Sequence, residues 1–128
     1  MRILLDTCAF IWLEGHQDVF GPAALKVLNG TEDSLVLSIA SVWEIAIKRS
    51  SGKLDRARSL FELVDGFRRR GSLELLPVSL RHLDIVESLP YLHRDPFDRI
   101  IAAQAIYEEI PVISIDKVFD GYGVRRIW

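Results

Sequence analysis

The sequence predicts a three-layer α/β/α sandwich, with a central, mainly parallel sheet of four to five strands and helices on both faces. Three observations predict it. Short apolar runs alternate with helical segments along the chain, the pattern of parallel strands joined by crossover helices. The runs Ile3-Leu4-Leu5, Val36-Leu37 and Val112-Ile113 show no polar–apolar alternation, so both their faces are expected to be buried. Gly15, Asn29-Gly30, Ser51-Gly52, Gly71 and Pro90 punctuate the segments as stop signals. The length of 128 residues corresponds to one domain, 1–128.

In order along the chain, residues 2–5 form a short buried strand. Residues 7–14 form a helix that Gly15 stops, and Gly21-Pro22 opens a second helix over 23–28. Residues 35–39 are a second strand. Residues 41–50 are a helix with apolar Val42, Trp43, Ala46 and Ile47, and residues 58–70 are another, closed by Gly71. Residues 73–78 are a third strand, with Pro77 suited to its end or to a sheet edge. Residues 80–89 have helical periodicity, and 96–109 is the longest apolar helix. Residues 112–115 are a fourth strand and 124–127 a fifth, at the edge.

Hydrophobic residues make up 49 % of the chain, enough to fill a core without disulfide or structural metal. A net charge of −2 gives no support to simple electrostatic capture of nucleic acid. The single cysteine, Cys8, excludes an internal disulfide and fits a reducing cytoplasm. The apolar run before Asp6 is too short for a signal peptide, and no window spans a membrane. The expected location is cytoplasmic.

Four acids lie where apolar runs hand over to helices: Asp6, Glu44, Asp98 and Asp116. In a parallel sheet these handovers share one edge, where ligands of such folds bind. Converging carboxylates stay ionised only if something neutralises them, and Mg²⁺ prefers carboxylate oxygens and water. Each acid also has a capping explanation. Asp6 would cap the helix that follows, and Ser41-Val42-Trp43-Glu44 fits a capping box. Asp95-Pro96-Phe97-Asp98 reads as a cap, a proline at N1 and a first-turn acid, and Asp116 would cap a turn toward Phe119. Caps, however, need no common edge.

Four blocks carry a resemblance that covers essentially the whole chain. They are Leu4-Leu5-Asp6-Thr7-Cys8-Ala9-Phe10-Ile11-Trp12-Leu13, Ser38-Ile39-Ala40-Ser41-Val42-Trp43-Glu44-Ile45-Ala46-Ile47-Lys48, His93-Arg94-Asp95-Pro96-Phe97-Asp98-Arg99-Ile100-Ile101-Ala102-Ala103-Gln104-Ala105, and Ser114-Ile115-Asp116 followed by Phe119. In this order and spacing they resemble the PIN-domain family, and within it the VapC-type toxins of toxin–antitoxin pairs. The resemblance implies a Mg²⁺-dependent endoribonuclease, with Mn²⁺ as a substitute ion. Asp6, Glu44, Asp98 and Asp116 would hold one or two ions, with Thr7 and Ser114 orienting water or a carboxylate beside them. It also implies an RNA substrate, a VapB-type antitoxin and a homodimer. Asp95 supports the site or only caps its helix. Arg99 is a phosphate candidate because it neighbours Asp98.

Other residues have plainer readings. Cys8 is expected to be a small buried residue, and His93 a solvated loop histidine or a proton or substrate contact. Lys48, Arg49, Lys53, Arg56 and Arg58, and separately Arg68-Arg69-Arg70, are solvated charge or RNA contacts. Phe10, Trp12 and Trp43 are most simply core, and alternatively anchors for an antitoxin segment. Rival functions match less well. A haloacid-dehalogenase-type phosphotransferase wants a second Asp where Cys8 stands, and a response-regulator receiver wants adjacent acids after the first strand. A non-toxin PIN-like nuclease and a catalytically silent binding module on the same fold are the alternatives.

Overall fold

A computed structural model describes residues 1–54, 58–71 and 73–128. The sheet has five parallel strands: β1 (Arg2–Leu5), β2 (Ser34–Ser38), β3 (Leu73–Leu76), β4 (Val112–Ile113) and β5 (Arg126–Ile127). Their order is β3-β2-β1-β4-β5. The chain builds outward from β1 in one direction, then returns to add β4 on its other side. Leu4 pairs with both Val36 and Val112, so β1 is the central strand. The strand order reverses beside it, which opens a crevice beyond its carboxyl end.

The apolar runs behave as their composition dictates. Ile3, Leu4 and Leu5 are all fully buried because alternate side chains enter two different cores. Ile3, Leu5, Leu37 and Ile113 face Ala9 and Phe10 of α1 (Thr7–Trp12), Ala24 of α2 (Pro22–Asn29), Ile45 of α3 (Ile39–Ser50) and Val64 of α4 (Leu60–Arg69). Leu4, Val36 and Val112 face Ile101, Ala102 and Ala105 of α6 (Pro96–Glu108) and Phe119 of α7 (Val118–Gly121). Small alanines on α6 let it lie close to the sheet. Helix α5 (Leu80–Ser88) packs on α6.

The predicted elements are present with altered ends. The first helix stops at Trp12, before a 3₁₀ turn over Gln17–Val19 that the sequence pattern did not disclose. The second strand ends at Ser38, and α3 begins at once, because the Ser38 hydroxyl accepts from the Ala40 amide at 3.0 Å and starts the helix there. The capping box expected at Ser41 is therefore corrected: Ser41 and Glu44 are interior residues of α3. Helix α4 begins at Leu60, capped by Ser59, and the third and fourth strands end at Leu76 and Ile113. Arg56, one of the expected basic residues, lies outside the described residues. Among the described residues no helix is long and apolar enough to cross a membrane.

Candidate metal centre

Asp6 follows β1 directly and is the N-cap of α1, its Oδ1 accepting from the Ala9 amide at 2.7 Å. It is buried at the mouth of the crevice. Burial raises its pKa above the ordinary aspartate value. Hydrogen bonds from Ser114 and Ala9 oppose that rise, while the charges of Asp116 and Glu44 add to it. Ser114, fully buried after β4, thus links the first acid to the last. Its hydroxyl oxygen also accepts from the Asp116 amide at 3.0 Å.

Glu44 enters from α3 and is buried. One carboxylate oxygen meets Lys48 Nζ, one turn on, at 2.9 Å. The pairing raises the Lys48 pKa further. The other oxygen, Oε1, is buried with no hydrogen-bond partner among the described residues. An orphaned carboxylate oxygen is costly unless something occupies the space it faces.

Asp95 and Asp98 separate cleanly. Asp95 caps α6, its Oδ1 accepting from the Phe97 amide at 2.9 Å. Asp98, at the third position of the helix, makes no cap and is free to face the crevice. Its carboxyl is pushed up to about 7, first by burial, then by Asp95, Asp6 and Asp116, with His93 pulling the other way. Asp116 Oδ1 accepts from the Val118 amide at 3.0 Å and so caps the following turn. Its Oδ2 lies 3.6 Å from His93 Nε2, which lies 3.2 Å from Asp98 Oδ2. The capping explanations therefore hold for Asp6, Asp95 and Asp116 and fail for Glu44. The caps and the convergence coexist.

His93 and Lys48 lie within the blocks that carry the resemblance, and neither was given a place at the metal site, yet both face these carboxylates. The further signal was position: Lys48 one turn after Glu44, and His93 two residues before the Asp95 cap. Thr7, by contrast, donates its hydroxyl to Ser41 at 3.0 Å in the buried joint between α1 and α3. Arg99 donates to the Pro90 and Val86 carbonyls at 3.0 Å each and lies over the Tyr91 ring, so it ties α6 to the end of α5. Cys8 is exposed, correcting its expected burial, because it lies on the solvent side of α1; the desolvation and the nearby Asp6 charge still raise its pKa. Arg69 is bound to Asp65 at 2.7 Å, and Arg70 stacks on Phe67.

Of the aromatic residues, Phe10 is core and Trp12 is partly buried against Phe20 and Trp128. Trp43 is 63 % exposed, contrary to the core expectation, and meets Phe97 edge-on at 5.2 Å. It continues a stripe of Ile39 and Ile47 at helical spacing, all exposed. On the other side of α1 an apolar groove is lined by Phe10, Ile11, Ile45, Leu54, Leu63 and Phe67, with the Glu14–Arg58 ion pair at its rim.

The acids suit a hard divalent cation. Their donors are carboxylate oxygens, one of them buried without a partner among the described residues, and burial together with the neighbouring acids pushes Asp98 up to about 7. His93, Asp98 and Asp116 each offer a ligand atom within 4.8 Å of the others.

The model of the PIN domain family matches residues 3–124. No curated protein sequence matches the chain significantly. Among solved structures the fold is similar to a chain of VapBC2 from Rickettsia felis bound to a promoter DNA fragment, at 18 % identity and TM-score 0.70, covering 98 % of this chain and 97 % of that one. It is also similar to FitAcB from Neisseria gonorrhoeae, at 21 % identity and TM-score 0.63, covering 97 % and 95 %. VapBC-1 from nontypeable Haemophilus influenzae matches at 15 % identity and TM-score 0.63, covering 98 % and 96 %.

Proposed function

This chain belongs to the PIN domain family, and from that premise we propose that it is a metal-dependent endoribonuclease, the toxin of a toxin–antitoxin pair acting in the cytoplasm. PIN domains are nucleases. The observation that supports the reading is the charge coupling of Asp6 to Glu44, Asp98 and Asp116 beside the reversal point of the sheet, with Glu44 Oε1 buried and unpartnered among the described residues.

In this reading the four acids hold one or two Mg²⁺ ions, and Mn²⁺ fits the same donors. An ion held by these acids would supply Lewis-acid activation of water and charge stabilisation at a phosphodiester. The chain's own residues supply the geometry. The Ala9 amide and Ser114 hydroxyl fix Asp6, and the Thr7–Ser41 bond fixes α1 against α3, and with it Asp6 relative to Glu44. Ser114 holds the Asp116 backbone to the same centre. Asp98 must surrender its proton before it can serve, which couples occupancy to pH. No side-chain nucleophile is needed. Cys8 stands nearby but its raised pKa leaves it a thiol.

The structures named above are VapBC and Fit complexes, which supports a VapB-type antitoxin as partner. The apolar groove beside α1 is the surface we assign to it. The exposed Ile39–Trp43–Ile47 stripe is assigned to the homodimer contact.

The test is cleavage of RNA, and of DNA of the same sequence, by the purified chain with Mg²⁺, with EDTA, and as Asp6→Asn. RNA cleavage that EDTA and the substitution both abolish supports the reading. Cleavage that persists in Asp6→Asn overturns the metal mechanism, and a metal-loaded protein that cleaves neither polymer indicates a catalytically silent module.

A further inference from the structure

His93 sits where a cation is wanted, and its other nitrogen determines what it can do there. Its Nδ1 accepts a hydrogen bond from the Asp95 amide at 3.0 Å. A ring nitrogen that accepts carries no proton, so the proton is on Nε2. That Nε2–H lies between Asp98 Oδ2 at 3.2 Å and Asp116 Oδ2 at 3.6 Å. A triad of this kind can be three ligands around one ion, or one N–H shared by two carboxylates. Ligation through Nε2 would require the proton to move to Nδ1, which would then face the Asp95 N–H donor to donor. The Asp95 amide cannot easily turn away, because Asp95 is the cap of α6 and Pro96 follows it.

We infer that His93 is a tethered stand-in for the metal: its Nε2–H holds Asp98 and Asp116 together in the metal-free protein and competes with a divalent cation for them. This rests on the metal-site reading of the acids. Asp98 lies in the first turn of α6 and Asp116 follows β4, so two carboxyl groups from separate elements converge on this one ring. His93 is then a positioning residue that sets metal affinity, and it leaves the carboxylates when an ion arrives. Lys48 stands in the same relation to Glu44 on the α3 side.

The experiment is titration of the full chain with Mn²⁺ by calorimetry, for the natural protein, His93→Leu and His93→Gln. Leu removes the N–H, and Gln retains a donor at similar reach. His93→Leu is expected to bind Mn²⁺ about tenfold more tightly, the equivalent of one charge-assisted hydrogen bond. Its metal-free melting temperature should fall and its Mn²⁺-induced rise should grow, while His93→Gln stays near the natural protein. Equal or weaker Mn²⁺ binding by His93→Leu overturns the inference, and weaker binding makes His93 a ligand. Ring nitrogen NMR of the natural protein with Mg²⁺ decides independently of either variant's folding. The proton should remain on Nε2, and its transfer to Nδ1 overturns the inference. If the natural protein takes up no Mn²⁺, the metal-site reading falls with it; if it does and only the His93 results fail, that reading stands.

Discussion

Asp95 and Asp98 occupy one helix end three residues apart and illustrate how position divides the roles of like residues. Asp95 spends its oxygen on the Phe97 amide, whereas Asp98 spends none on the helix and is crowded by three other acids. Asp95→Asn should cost on the order of 1 kcal/mol or less, since Asn caps well. Asp98→Asn should leave the metal-free protein as stable or more stable, because it removes a buried repulsive charge, and should abolish divalent uptake. Thermal melts with and without Mg²⁺ test both, and full Mg²⁺ uptake by Asp98→Asn together with its loss in Asp95→Asn would reverse the assignment. The placement of Asp6 and Asp116 just beyond the ends of β1 and β4 was legible in the sequence, because each follows an apolar run; Asp98 lies in the first turn of a helix that no strand directly precedes. What faces them was not legible. His93 belongs to a loop whose fold is fixed by the Asp95 amide, and no spacing announces that bond.

At the scale of elements, the handover from β2 to α3 decides where Glu44 points. No loop intervenes: Ser38 is both the last strand residue and the helix cap. Starting the helix there makes Glu44 a second-turn residue rather than a capping acid, which is why its side chain is left for the crevice. Ser38→Ala should therefore cost about 1 kcal/mol. Ser41→Ala should spare the helix start and loosen the joint with Thr7. Urea unfolding of the two variants checks this, and a larger loss of helix nucleation from Ser41 than from Ser38 would restore the later start. Element types and order follow from the period of apolar residues, which burial on both faces of the sheet enforces. The start of α3 was misplaced because Ser38 and Ser41 each offer a capping hydroxyl, a local competition that periodicity does not register. The 3₁₀ turn at Gln17–Val19 is too short to show any period.

For the whole molecule, the raised carboxyls make stability depend on pH in a definite direction. Asp98 titrates near 3.8 when unfolded and at about 7 in the fold. Between those values the folded state binds more protons, so metal-free stability is full below about pH 4 on account of this group and is lost as pH rises through 7. Asp6 is shifted in the same direction. A divalent cation displaces that proton, so metal affinity should rise with pH across the same window. Melting temperature measured from pH 4.5 to 8, with EDTA and with Mg²⁺, should show a fall that Mg²⁺ reverses; curves that are parallel throughout would separate the carboxyl shifts from any ion. Gly21 offers a control away from this site. A Cβ there would lie 2.5 Å from the Trp128 carbonyl carbon, so Gly21→Ala should lower stability by about 1–3 kcal/mol at every pH.

The return of the chain to the far side of β1 has a consequence for the order in which the molecule comes into being. Asp6 precedes by more than a hundred residues the strand beside it that delivers Ser114 and Asp116. Pairings so distant in sequence form slowly and only once the intervening chain is available. During synthesis on the ribosome, β1, β2 and β3 can assemble as half a sheet while the acid centre is still missing two of its walls. The growing polypeptide thus has its acids apart until β4 emerges, and translation interrupted before that point releases a fragment with an unpaired apolar edge on β1.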